Sequence, residues 1–208
     1  MPDRFYLLPE DIQGDRAVLR GKEAHHAVRV MRTKVGECLT LFDGKGREYR
    51  GMIRDILKNE VVLSLLGESR AKSRAALSVT VACSLPKRMK MESVIEKLTE
   101  LGAVSIVPLS SERSVPKVEK GEESKKILRF KRIAREAAKQ CGALSLPEIP
   151  GIFSLAELLR TAEAYDLALF LDPEGAPIRT ALKEKAAKKV VIAVGPEDYR
   201  TPADDPVT

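Results

Sequence analysis

Apolar and polar positions along this chain follow two different periods, and the change of period divides it. From Arg4 to about Leu66 the apolar residues come in short runs: Ala17–Leu19, Leu39–Phe42, Tyr49–Ile56 and Val61–Leu66. Runs of this length bounded by turn residues read as strands. Asp43-Gly44-Lys45-Gly46 and Lys58-Asn59-Glu60 supply the turns. One helix interrupts the series at Glu23–Arg32, where Ala24, Ala27, Val28 and Met31 fall at helical spacing. Several short strands and one helix predict a small, mostly antiparallel β-barrel over residues 1–70. Residues 71–76 lie in a polar stretch without periodicity and read as a linker.

Beyond the linker the pattern alternates. Leu77–Leu85 reads as a strand. Met91, Val94, Ile95, Leu98 and Leu101 form one face of a helix that Gly102 can terminate. Val104–Leu109 is the next strand and Val115–Ser124 a polar loop. A helix is predicted over Lys125–Gln140, with Ile127, Phe130, Ala134 and Ala137 inward. Leu155–Thr161 and Ile178–Lys188 read as helices, Leu167–Leu171 and Val190–Val194 as strands. This α/β alternation over 77–197 predicts a parallel sheet with helices on both faces. Residues 198–208 are a polar, proline-containing tail of neither period. The sheet is therefore expected either to end at the edge formed by Val190–Val194 or to lack a covering segment.

Composition narrows the function. The 208 residues carry a net charge of +6, and between Lys125 and Lys139 seven basic residues face one acid, Glu136. The local excess equals that of the whole chain, and such a face releases counterions on meeting a polyphosphate. Aromatics are only 4% and Trp is absent, which argues against a base-stacking platform. No apolar run is long enough to span a bilayer, and Met1–Glu10 lacks a signal-peptide core, so no membrane partner and a cytoplasmic location are expected. Cys38, Cys83 and Cys141 suit a reducing compartment as buried small hydrophobes. The only histidines are the adjacent His25 and His26, so no metal site is expected.

Candidate chemistry sits at a few places. His25, Arg29 and Arg32 fall at i, i+4 and i+7, on the helix face opposite its apolar stripe, where arginines suit phosphate contact. Two strands run into similar turns, Leu171 into Asp172-Pro173-Glu174-Gly175 and Val194 into Gly195-Pro196-Glu197. Ligands of open parallel sheets bind outside such carboxyl ends. Neither turn is a glycine-rich phosphate cradle, which excludes a P-loop NTPase and a glycine-fingerprint dinucleotide enzyme. Arg113, in Ser111-Glu112-Arg113-Ser114, follows another strand and can hold a phosphate or base edge. A salt bridge to Glu112 or Glu100 is the structural alternative.

Read in order, the segments resemble the bacterial 16S rRNA uridine-N3 methyltransferases, the RsmE-like branch of the SPOUT superfamily. The matching pieces are His25-His26-Ala-Val-Arg29-Val-Met-Arg32, Leu41-Phe42-Asp43-Gly44 and Lys87 to Lys90. Glu96-Lys97-Leu-Thr-Glu100-Leu101-Gly102, Ser111 to Ser114, Glu136 to Gly142, Leu146 to Ile149 and Gly195-Pro196-Glu197 follow. The resemblance implies a PUA-like, RNA-binding barrel and a SPOUT catalytic sheet whose C-terminal part is tied into a trefoil knot, incomplete here. It also implies S-adenosylmethionine as methyl donor, a homodimer, and 16S rRNA of the small ribosomal subunit as partner. Leu171, Gly195, Pro196 and Glu197 match positions lining the donor pocket. Arg29, Arg32, Lys87, Lys90, Lys97 and Gln140 match RNA-contacting positions or the mouth of the active site.

For the reaction itself, Arg113 is the expected stabiliser of the uridine anion, and Glu100 or Glu197 the expected proton acceptor. Two departures from the family pattern stand out: Ala143 where an arginine is usual, and residues 198–208 in place of the knot segment. The alternative to an enzyme is a non-catalytic RNA-binding protein derived from the same family.

Overall fold

The computed structural model describes residues 4–70, 77–85, 90–110, 120–172, 174–184 and 187–195. The expected linker at 71–76 and the tail at 198–208 lie outside them. The chain forms two compact units, Met1–Arg74 with Ala134–Leu146, and Ala75–Ile133 with Pro147–Thr208.

The first unit is a six-stranded sheet of order β1-β4-β5-β6-β3-β2. Its strands are β1 (Arg4–Tyr6), β2 (Ile12–Gln13), β3 (Arg16–Arg20), β4 (Cys38–Phe42), β5 (Arg47–Ile56) and β6 (Glu60–Arg70). All neighbours are antiparallel except β1 and β4. Alternation sends Leu39, Leu41, Tyr49, Ile53, Val61 and Leu63 into one core, which Phe5, Ala17 and Leu19 join from the outlying strands. A sheet whose strands all feed a single cluster must curl around it. Helix α1 (Gly21–His25) closes that core with Ala24, and Ala27 follows from the next turn.

That next turn corrects the predicted helix. His26–Val30 is a π turn, in which the Met31 N–H reaches the His26 carbonyl. The extra residue shifts the phase, so Met31, expected inward, is exposed. Arg32 then lies outside the helix at φ 55°, not on the face of His25 and Arg29. Cys38 and Cys141 are exposed too, leaving only Cys83 as the buried thiol expected of all three.

The segment Ala134–Leu146 begins with the last two turns of helix α3 (Lys120–Cys141). Lys139 holds both carboxylate oxygens of Glu23 at 3.2 Å, and Glu23 also accepts the Tyr6 N–H. Arg135 stacks its guanidinium over the Tyr6 ring at 4.1 Å. After Gly142 ends the helix in the left-handed region, Leu144–Leu146 pairs with the β4–β5 turn. There the Gly46 N–H donates to the Leu144 carbonyl and the Leu146 N–H to the Gly44 carbonyl. Asp43, almost fully buried, closes the turn by accepting the Lys45 and Arg47 N–H groups.

The second unit is a parallel sheet of order β10-β11-β7-β8-β9. Its strands are β7 (Ser78–Ser84), β8 (Ser105–Ser110), β9 (Phe153–Ser154), β10 (Leu167–Leu171) and β11 (Lys189–Val194). The helices are α2 (Lys90–Glu100), the first turns of α3, α4 (Leu155–Thr161) and α5 (Ile178–Glu184). Leu158 of α4 packs with Ala82, Val107, Leu109, Val191 and Ala193 on one face. On the other, Cys83 meets Met91 of α2. The expected α/β sheet with helices on both faces is present. Among the described residues, however, β11 is not an edge: it lies between β10 and β7, and β10 takes the outer place.

Local chemistry sets the element ends. Ser154 and Glu157 form a reciprocal capping box that starts α4. In α2 the buried stripe runs Met91, Ile95 and Thr99, and the Thr99 hydroxyl is satisfied by the Ile95 carbonyl at 2.7 Å. Leu101, expected on that stripe, follows the helix and is 82% exposed. Asp166 fixes β10 to β11: its carboxylate accepts the N–H groups of Lys188 and Lys189, both at 2.8 Å.

Two predictions follow from these contacts. A Cβ on Gly44, at φ 71°, would lie 2.9 Å from Leu146 and 3.0 Å from Tyr6, whereas one on Gly36, at φ 90°, meets nothing within 4 Å. Gly36→Ala should cost only the backbone penalty of about 1–2 kcal/mol, and Gly44→Ala clearly more, in parallel thermal melts. The Asp166 carboxyl is held below its ordinary range, first by the Lys189 N–H and then by that of Lys188. A lowered folded value means that its stabilisation is present above the unfolded aspartate range and is lost as pH falls through the folded value. Asp166→Asn should therefore lower the melting temperature at neutral pH, and the difference should vanish in strong acid.

Candidate functional site

Parallel register builds the site in the second unit. Leu171 pairs with Val194, and Val194 with Cys83, so β10, β11 and β7 end at one level. Gly195 is the next residue after Val194, and Asp172 the next after Leu171. The Asp172 carboxylate accepts the Glu174 N–H at 2.8 Å, and its carbonyl accepts the Gly175 N–H at 3.0 Å, which folds the chain into a turn as it leaves β10. Phe170 and Leu171 leave apolar surface there, 49% and 42% exposed. Two strand ends expected to share a ligand are thus neighbours.

The apolar end of β10 beside a glycine that follows β11 leaves open carbon surface next to accessible backbone. A ligand with an apolar ring and polar groups can use both. These residues fit S-adenosylmethionine. No thiolate competes at this edge. Cys83 is buried, burial pushes its thiol up to about 11, and its Sγ lies 3.8 Å from the Met91 sulfur. It stays protonated at neutral pH and packs as a small hydrophobe.

Glu100 is placed elsewhere. Helix α2 leaves the carboxyl end of β7 and runs back, so its last turn lies at the amino edge, where the Val104 N–H donates to the Val79 carbonyl. Glu100 is therefore removed from the strand ends Leu171 and Gly195 by the length of the sheet. It pairs with Lys97 at 3.0 Å, and Lys97 also touches Glu96. The expected proton acceptor and one expected RNA contact neutralise each other. Arg113, Pro196, Glu197 and Lys87 lie outside the described residues. Lys90 opens α2, and its side chain is outside them too.

The first unit keeps Arg29 and Arg32 exposed, and neither makes an ion pair among the described residues. Arg32 is, among those residues, the one non-glycine at positive φ. Its neighbour Thr33 closes the π turn, donating both its N–H, at 3.1 Å, and its hydroxyl, at 3.0 Å, to the Ala27 carbonyl. Glycine is the usual occupant of such a position, and a long cation there stores about 1–2 kcal/mol of strain. His25 is exposed, while His26 packs edge-on against Phe5 with ring centres 5.5 Å apart. Gln140 is exposed on the last turn of α3, beside the buried Lys139 pair.

The basic run on α3 is less free than its count implies. Arg129 pairs with Glu92, Arg135 stacks on Tyr6 and Lys139 holds Glu23. Lys125, Lys126, Lys131 and Arg132 make no ion pair among the described residues. Sequence reading missed the three structural partners and the Asp166 clamp. Each partner is distant in sequence, and the one available signal was the acid at the start of a predicted strand.

Known proteins resemble this chain in sequence and in fold. A family model described as RNA methyltransferase domain matches residues 73–199, and one described as RNA methyltransferase PUA domain matches residues 19–66. The chain is 31% identical to ribosomal RNA small subunit methyltransferase E of Bacillus subtilis over 148 residues, 71% of this chain and 58% of that protein. It is 29% identical to the Synechocystis protein of the same name over 201 residues, 95% of this chain and 64% of that one. The chain thus spans about three fifths of the length of these two relatives.

Among solved structures, a Legionella pneumophila protein in complex with the bound cofactor SAM superposes with TM-score 0.85 at 28% identity, covering 98% of this chain and 83% of that one. Ribosomal RNA small subunit methyltransferase E from Neisseria gonorrhoeae, bound to S-adenosyl methionine, gives 0.82 at 25% identity, with the same coverage. The sheet, its paired strand ends and the two matched segments together place this chain in the family of the RNA methyltransferase domain.

Proposed function

We propose that this chain serves methyl transfer from S-adenosylmethionine to N3 of a uridine in 16S rRNA of the small ribosomal subunit, as a cytoplasmic homodimer. The observation that carries the reading is the level ending of β10 and β11, which makes Leu171 and Gly195 neighbours within the matched methyltransferase segment. Among the described residues no helix is long and apolar enough to cross a membrane. S-adenosylmethionine, when bound, supplies an electrophilic methyl group on a sulfonium.

Leu171 offers carbon surface to the donor, and Gly195 lets its backbone come close. Pro196 and Glu197 follow Gly195 in sequence and belong to the same pocket in this reading. Arg113 follows the last residue of β8 by three positions and supplies positive charge to the uridine ring as N3 loses its proton. With Glu100 at the amino edge, Glu197 is the carboxylate assigned to take that proton. Alignment of N3 with the methyl carbon provides most of the acceleration. Arg29 and Arg32 hold the RNA, with Lys87, Lys90 and Gln140 as further contacts.

The test is nucleoside mass spectrometry of small-subunit rRNA incubated with protein and donor, alongside calorimetric titration of donor alone. Formation of 3-methyluridine supports the proposal. Absence of donor heat at millimolar concentration, with RNA binding intact, overturns it in favour of a non-catalytic RNA-binding protein. Gly195→Val should weaken donor binding at least tenfold and leave RNA binding unchanged. Arg32→Gly should have opposite effects on two readouts. Relief of the left-handed strain should stabilise the fold by up to about 1 kcal/mol, while RNA affinity falls and its salt slope shrinks by about one. Equal RNA binding in the two proteins would remove Arg32 from the interface.

A further inference from the structure

The outer face of the first unit carries a groove of about 440 Å³ across β4, β5 and β6. Thr40, Arg50 and Gly67 form one cross-strand row, and Glu48 and Ser69 belong to the next. Leu39, Leu41 and Tyr49 point into the core, so the alternating partners Thr40 and Arg50 point away from it. Gly67 leaves the middle of the groove open, since a Cβ there would meet nothing within 4 Å.

The charges of the groove are unevenly spent. Glu48 is held by Arg4, and Glu68 by Arg70 at 3.0 Å and Arg47 at 3.8 Å. Arg50 is exposed and makes no ion pair among the described residues. Nor do the hydroxyls of Thr40 and Ser69 make a hydrogen bond there. With both acids neutralised, the groove presents one unpaired guanidinium and two unused hydroxyls around an open floor. That is a donor set for a single anionic oxygen cluster. On the same outer face Arg16 lies in the row of Ser64, Met52 and Cys38, also exposed and without an ion pair. Standard strand spacings put it about 12 Å from Arg50.

We infer that this groove seats a phosphate of the RNA backbone, with Arg50, Thr40 and Ser69 as its donors over Gly67 and Arg16 holding a second phosphate of the same strand. The helix α1 packs on the core side of this sheet, so the groove is a different surface from the one that bears Arg29 and Arg32. The inference rests on the proposal that the chain binds RNA, and it assigns a track that carries position and not sequence.

Fluorescence anisotropy of the full chain with a labelled fragment of small-subunit rRNA, at several salt concentrations, tests it. Arg50→Ala should weaken binding roughly three- to tenfold and reduce the salt slope by about 0.7–0.9. Gly67→Glu fills the open floor with a negative charge and should weaken binding more than tenfold. Its position meets no neighbour, so its thermal melt should match that of the parent. Unchanged affinity and slope in both variants, while Arg29→Ala with Arg32→Ala still lowers them, overturns the groove alone. A parent protein that ignores RNA in dilute salt overturns the RNA reading and this inference with it.

Discussion

Parallel register is the constraint on which the site depends. In a parallel sheet the strands end on one side, but a shared ligand needs them to end at the same level. Here Leu171, Val194 and Cys83 occupy one cross-strand row, so the chain leaving β10 and the chain leaving β11 start from adjacent points. The level is held from the far end as well. Asp166, at the amino end of β10, grips the two N–H groups that lead into β11. A slip of one residue would exchange the faces of Val191 and Ala193, so burial of these residues against Leu158 guards the same register.

The first unit depends on a different kind of contact. Its sheet could close on its own core, yet Arg135 and Lys139 of α3 and the Leu144–Leu146 segment after it also join the unit. Basic residues that a count of charges assigns to solvent are thus partly structural. Lys139 and Glu23 are both about nine-tenths buried, where a partner and further hydrogen bonds are needed to offset desolvation. The cations without an ion pair among the described residues include Arg29 and Arg32 beside the π turn, Arg16 and Arg50 on the outer sheet, and four residues on α3. Specific use of charge is read from what remains after such pairing, not from net charge.

Much of the fold was legible because period is a local property. The run Leu167–Leu171 and the helix Leu155–Thr161 stand where the pattern put them, and Gly102 ends its helix in the left-handed region. The misses involve information that local pattern does not carry. A π turn adds one residue and leaves Ala24 and Ala27 in phase, so it shows only at Met31 and Arg32. Strands as short as β1, β2 and β9 have too few residues to display a period. The order of β11 within the sheet is a matter of topology, and the last strand among the described residues is internal. The candidate site was legible only where strand ends marked it. The turn after each strand marked Leu171 and Gly195, but only the course of α2 shows that Glu100 belongs to the opposite edge.

The proposed place of the donor is the carboxyl edge of β10 and β11. Amide hydrogen exchange of the full chain with and without S-adenosylmethionine tests it most directly. Protection should appear in the peptides that end β10 and β11, around Leu171 and Gly195, while those covering Lys97 to Gly102 stay unchanged. Protection confined to the amino edge, or none at saturating donor, would contradict the account.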